Sequence, residues 1–132
     1  MLLALHRATH HTLHALAARL ATLDLAGSEV NTLANLADGR PRNVRELSAD
    51  TGIRATTLTG VLDRLERRGY LVRELDPADR RSFRLTLTAP GRAVAGQVRR
   101  AVTDIERDAL AGQSGRQLAG YRAVVAALQE VS

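Results

Sequence analysis

Leu13, Leu16, Leu20 and Leu23 recur at three- and four-residue steps within residues 2–23. That spacing lays an apolar seam along one side of a helix. The stretch "LAGS" interrupts it, and residues 28–38 predict a second, shorter helix with Val30, Leu33, Ala34 and Ala37 on one face. "DGRPR" ends that helix with Gly39 and Pro41. Asn43 and Glu46 then have capping-box spacing and start a third helix, in which Val44, Leu47 and Ala49 are expected to bury. Gly52 centres the tight turn "TGI", a fourth helix runs from Ala55 to Arg68, and Gly69 stops it.

Past Gly69 the period changes. Residues 70–75 and 83–88 suit strands, and the tip between them reads "DPADRR". Thr88 is placed to cap a long fifth helix with Pro90 in its first turn and a stripe of Val94, Val98, Val102, Ile105 and Ala109. "AGQSG" breaks the chain again, and a final helix over 115–130 carries Leu118, Tyr121, Val125 and Leu128. The order α-α-α-α-β-β-α-α makes the fold class mainly α with one small β-hairpin. The helices near both ends carry apolar seams, although the middle already forms a compact three-helix unit. Seams of that kind are best buried against each other and against a second copy, so a dimer built from the chain ends is expected.

Composition narrows the chemistry. The 132 residues suffice for one domain or for a protomer that shares its core. Aromatic residues are only 2%, so the core is aliphatic, and Tyr70, Phe83 and Tyr121 cannot build a deep aromatic cofactor cage. The absence of cysteine excludes a disulfide scaffold, a Cys-based zinc site and a thiol switch. No apolar run approaches the ~20 residues of a membrane span, and the one at the N-terminus is too short for a signal peptide. A soluble cytoplasmic protein without cofactor is therefore expected.

Net charge is +5 and every cation is arginine. An Ala- and Arg-rich composition by itself fits codon bias. Position says more: residues 40–84 hold eleven arginines against seven acids, whereas residues 1–39 hold two against three. The excess sits in the middle, as a local electrostatic footprint for a polyanion would.

Helix, glycine turn, helix over 43–68 is the helix-turn-helix arrangement. In its second helix Leu58, Val61, Leu62 and Leu65 share one face, and Thr56, Gly60, Asp63 and Arg67 the opposite one, flanked by Thr57, Thr59 and Arg64. Small hydroxyl residues come first and arginines later, which suits base edges and then phosphates. Gly60 costs about 1 kcal/mol against alanine in a helix interior, and close approach to DNA is a functional reason for it. Asp63 and Arg67, four apart, are spaced to pair with one another. Arg54 stands at the N-cap, where it cannot cap and where its charge opposes the helix dipole unless a phosphate is near. In the hairpin tip Asp76, Pro77 and Asp79 supply turn chemistry, and Arg80 and Arg81 project toward an adjacent minor groove.

The stretch "TLTGVLDRLERRGYLVRELDPADRRSFRLTLTAPG", residues 57–91, resembles the core of the MarR family of winged-helix transcriptional regulators. The likeness rests on LxDRLExxG, on Tyr70 and Leu71 after its glycine, on the wing DPxDRR, and on Thr88 and Gly91 as T-x-x-G. It implies a winged helix-turn-helix core flanked by N- and C-terminal dimerisation helices, with divisions at 1–24, 25–90 and 91–132. It also implies a homodimer binding a pseudo-palindromic operator, usually as a repressor released by a ligand. The fourth helix would enter the major groove through Thr56, Thr57 and Thr59. Arg81 would enter the minor groove, with Asp79 steadying it through an ion pair. Many relatives have arginine where Gly60 stands, Asp or Ser where Arg54 stands, and a capping Thr where Ala26 stands, so the operator differs more than the fold does.

Two other readings compete. A winged helix used for protein–protein interaction would need an apolar or acidic recognition face, which Thr56, Thr59, Arg64 and Arg67 do not make. A metal-responsive regulator would use His6 and His10, which with His14 follow at i, i+4 and i+8; two such histidines can share a metal. However, His14 drifts to another side, and no cysteine or nearby carboxylate completes a site, so no metal is expected. Catalysis is not expected either: no serine lies in a G-x-S-x-G context and no phosphate loop is present. A small-molecule effector is left open.

Overall fold

The computed structural model describes residues 1–131. Its elements are α1 (Leu2–Arg19), a 3₁₀ turn (Ala21–Leu23), α2 (Gly27–Leu36), α3 (Val44–Thr51), α4 (Ala55–Arg67), β1 (Leu71–Leu75), β2 (Phe83–Leu87), α5 (Ala89–Leu110) and α6 (Gly115–Gln129). The first helix is shorter than its leucine seam suggests. It ends at Arg19, and the chain turns through Leu20 (φ −107°) and a left-handed Asp24 (φ 50°). Leu20 nevertheless buries in the core, so the seam outlasts the helix. The second helix likewise stops at Leu36 rather than 38.

Local signals in the middle of the chain act as expected. The Asn43 side chain accepts from Glu46 N at 2.8 Å while Glu46 reaches back to Asn43 N, so α3 has its capping box. Gly52 ends α3 in the left-handed region (φ 71°), open to glycine without a Cβ penalty. Val44 is half-buried and Leu47 fully buried, but Ala49 is exposed. At ~100° per residue Ala49 points away from the side that Val44 and Leu47 share.

β1 and β2 form an antiparallel hairpin with Leu71 opposite Leu87 and Leu75 opposite Phe83. Its root is buried at Leu71 and Leu85, while Leu75 and Phe83 near the tip are exposed. The hairpin has a third partner that no residue pattern announces. Arg42 pairs with Leu85 through two backbone bonds, Arg42 N to Leu85 O at 3.3 Å and Leu85 N to Arg42 O at 2.8 Å. Its buried guanidinium donates through Nε to Asp50 at 2.6 Å and clasps both Asp38 carboxylate oxygens at 2.9 and 2.5 Å. One arginine thus ties the ends of α2 and α3 to the hairpin.

The core centres on Leu33, Leu47, Leu58, Leu62 and Leu85, all fully buried, and extends to Val98 of α5. Each such leucine contributes roughly 1.5–3 kcal/mol. In contrast, α1 and α6 bury no residue fully. Leu2, Leu3, Leu13, Tyr121 and Val124 are left exposed on them. No helix is long and apolar enough to cross a membrane among the described residues.

Candidate nucleic-acid interface

The fourth helix turns Leu58, Val61, Leu62 and Leu65 inward, and this fixes what faces out. Thr56, Thr57, Thr59, Arg64 and Arg67 are exposed and Gly60 is half-exposed. The Thr59 hydroxyl donates back to Ala55 O at 3.0 Å, which leaves its oxygen as an acceptor. Arg54 is the N-cap, its side chain makes no capping bond, and no carboxylate pairs with it among the described residues. The first turn of α4 therefore presents unpaired N–H groups and an uncompensated cation to solvent, an arrangement that attracts an anion.

Asp63 does not pair with Arg67. Its carboxylate accepts from Arg73 Nη2 at 2.6 Å, and Arg73 Nε lies 3.5 Å from Glu66. Arg73 projects from β1 across the side of α4, half-buried, and reaches Asp63 more directly than Arg67 can. Arg67 instead donates to the Asp63 backbone carbonyl at 3.3 Å and keeps most of its guanidinium free. The Arg73 contacts fix the hairpin's angle to the recognition helix.

The hairpin tip folds by local bonds. Asp76 accepts from Ala78 N at 2.9 Å and Asp79 from Arg81 N at 3.0 Å. The expected ion pair between Asp79 and the wing arginine is not formed. The Asp79 carboxylate is taken by the Arg81 backbone two residues on, so it shapes the turn rather than holding the guanidinium. Arg80 and Arg81 are exposed, and neither has an ion-pair partner among the described residues. The tip offers two cations on a sheet whose root is buried.

Arg68 braces the end of α4, and Arg64 meets it at one buried carboxylate. Arg68, at its C-cap, donates to Asp24 O at 2.7 Å and to Leu23 O at 2.8 Å, and its guanidinium lies 5.2 Å from the centre of the Tyr70 ring. Arg68 Nη1 and Arg64 Nε lie 3.6 and 3.8 Å from the buried carboxylate of Glu29 in α2. Glu29 also accepts from Ala26 N at 3.2 Å, supplying one bond at the start of α2, where Ala26 has no side chain to cap with. None of Arg42, Glu29, Arg68 or Arg73 stands out in the sequence as more than one charge among many.

The histidines are on the outer surface of α1. His6 and His10 are exposed, and His10, His11 and His14 line a shallow groove with Arg7. No group of three or more His, Cys, Asp or Glu side chains is placed to hold a metal ion among the described residues.

A family model for the MarR family matches residues 23–82. CouR of Rhodococcus jostii RHA1, solved as a transcriptional repressor bound to a 23-mer DNA duplex, is 31% identical, with 95% of this chain and 87% of that one covered at a TM-score of 0.73. The chain belongs to the MarR family. Wild-type MarR from E. coli in its apo form shares the fold at a TM-score of 0.74 and 21% identity, over 95% of this chain and 93% of that one. An uncharacterized HTH-type transcriptional regulator of Bacillus subtilis (strain 168), YcgE, is 37% identical over 59 residues, which are 45% of this chain and 38% of that protein. The match thus spans less than half of that curated relative. MarR-family membership accounts for the six helices and the two-stranded wing, and the protein is a DNA-binding winged-helix transcriptional regulator.

Proposed function

We propose that the protein is a homodimeric repressor that binds a pseudo-palindromic duplex operator. The recognition helix α4 lies in the major groove, where Thr56, Thr57 and Thr59 meet base edges and Arg54, Arg64 and Arg67 carry the charge. The wing reaches the adjacent minor groove through Arg81, with Arg80 beside it on the phosphates. The observation that carries this reading is the placing of exposed cations on α4 and on the hairpin tip: Arg54, Arg67, Arg80 and Arg81 have no carboxylate partner among the described residues, whereas Arg42 and Arg73 in the same unit are paired. Unpaired cations at the start and end of α4 and at the hairpin tip suit a polyanion.

The dimer rests on α1 and α6. Two helices without a fully buried residue, with Leu3 72% and Tyr121 59% exposed, do not hold their positions in water alone. A second copy packed on them divides the chain into an N-terminal arm (1–24), a DNA-binding unit (25–90) and a C-terminal arm (91–132). A cavity of about 340 Å³ between α1 and α5, lined by Leu13, Leu16, Ile105, Glu106 and Tyr121, offers room there for a small, mostly apolar effector. Such a regulator acts in the cytoplasm, on the DNA.

Selection of bound sequences from random duplexes, repeated at two salt concentrations, tests the reading. It is expected to return an inverted repeat with half-sites about one helical turn apart. Affinity should fall steeply as salt rises. Failure to retain any duplex at low salt would sink the proposal.

A further inference from the structure

Gly60 sits in the middle of the outward face of α4, and what occupies the space above it is Arg64. Long side chains on a helix lean toward its N-terminus, so a residue covers the turn before its own. Here Arg64 leans back over Gly60, and its Nη1 lies 3.7 Å from where a Cβ at Gly60 would stand. With only a hydrogen below it the guanidinium has room there, and a methyl group would just reach it.

Glu29 sets that pose. Its side chain is 7% exposed, and Oε1 faces Arg64 Nε at 3.8 Å. Oε2 is buried with no hydrogen-bond partner among the described residues, and its nearest cation is Arg68 Nη1 at 3.6 Å. A buried carboxylate needs compensation, and neither guanidinium meets it at hydrogen-bond distance. Arg68 is committed to the carbonyls of Leu23 and Asp24. Of the two, Arg64 is the one whose guanidinium donates no hydrogen bond among the described residues. Contact at this range fixes a direction without consuming the donors.

We infer that Arg64, held over Gly60 by the buried Glu29, is the base-reading arginine of the recognition helix, and that it takes a guanine in each half-site. The guanidinium fork matches the O6 and N7 acceptors of guanine in the major groove. Glu29 is its positioning residue and touches no DNA. This deepens the operator-binding reading and rests on it.

The test measures binding of wild type, Arg64→Ala and Glu29→Gln to the selected duplex and to duplexes with each base pair changed in turn. Arg64→Ala is expected to flatten the preference at one guanine position per half-site by about tenfold or more, leaving the other positions discriminated. Glu29→Gln keeps the bond to Ala26 N and removes only the charge. It should flatten the same position in part and leave the other positions as discriminated as in wild type, which a merely structural role would not do. Equal weakening of every duplex by Arg64→Ala would reduce the residue to a phosphate contact and overturn the inference. An unaltered preference profile in Glu29→Gln would overturn the role of Glu29. Both outcomes require a wild type that prefers a sequence; a wild type that binds no duplex would overturn the regulator reading itself.

Discussion

A Cβ added to Gly91 would stand 1.9 Å from the carbonyl oxygen of Tyr70. The first turn of α5 therefore lies directly on the backbone that leaves the recognition helix. Thr88 holds the two together: its hydroxyl donates to Gly69 O at 2.5 Å and accepts from Gly91 N at 3.1 Å, while its own N donates to Tyr70 O at 3.0 Å. Gly91→Ala must push α5 off the Tyr70 backbone, since no side chain is there to yield. A loss of about 3 kcal/mol or more is expected, read as a lowered urea midpoint.

Arg42 is the second fixed point. The Arg42 guanidinium holds the Asp38 carboxyl well below the usual carboxylate range. A depressed folded-state value means that the contribution is present above the unfolded carboxylate value, near 3.9, and is lost as pH falls below it. Stability should therefore drop below about pH 4. Asp38→Asn is expected to cost about 3 kcal/mol at pH 7 and to blunt that acid loss. Urea titrations at pH 7 and pH 3 measure both.

Arg73→Ala should leave the fold nearly as stable, because its partners Asp63 and Glu66 are half-exposed. What it removes is the brace between β1 and α4. Operator affinity is expected to fall about tenfold while the urea midpoint moves little, with fluorescence anisotropy as the readout.

Arg81→Ala is expected to weaken operator binding with an unchanged melting curve, since its guanidinium has no ion-pair partner among the described residues. Arg122→Ala, on exposed α6, is the matched control and should bind normally. An equal loss in the two variants would deny the wing a specific role.

Gly60→Ala should stabilise the chain by about 1 kcal/mol, because the new Cβ meets nothing within 4 Å except Arg64 Nη1, at ordinary contact distance. A gain in melting temperature accompanied by a loss in DNA affinity would identify Gly60 as a residue kept for function.

Much of this was legible from residues alone because the signals are local. The Asn43 box, the Gly69 stop and the Thr88 cap each act within four residues and end elements where they stand. The inward face of α4 follows from period alone. What escaped was bonding between elements and the competition for each carboxylate. Arg42 reads as part of a helix-ending turn, yet it closes a bridge to Leu85, forty-three positions away. Helical spacing pairs Asp63 with Arg67, whereas the strand folds back and brings Arg73 closer. The resemblance implies an ion pair for Asp79, whereas the Arg81 backbone N–H takes its oxygen. Spacing along a helix finds neighbours on that helix, and it cannot rank them against a side chain arriving from elsewhere.

The two bonds from Arg68 to the carbonyls of Leu23 and Asp24 bear on how such a protein measures DNA. They fasten the elbow between the long first helix and the DNA-binding unit to the base of the recognition helix. The arm and the reading head then turn together, like the legs of calipers with a locked joint. In a dimer joined through its arms, the distance between the two heads is set at the far end, so a change of a few degrees where the arms meet becomes a change of register on the duplex.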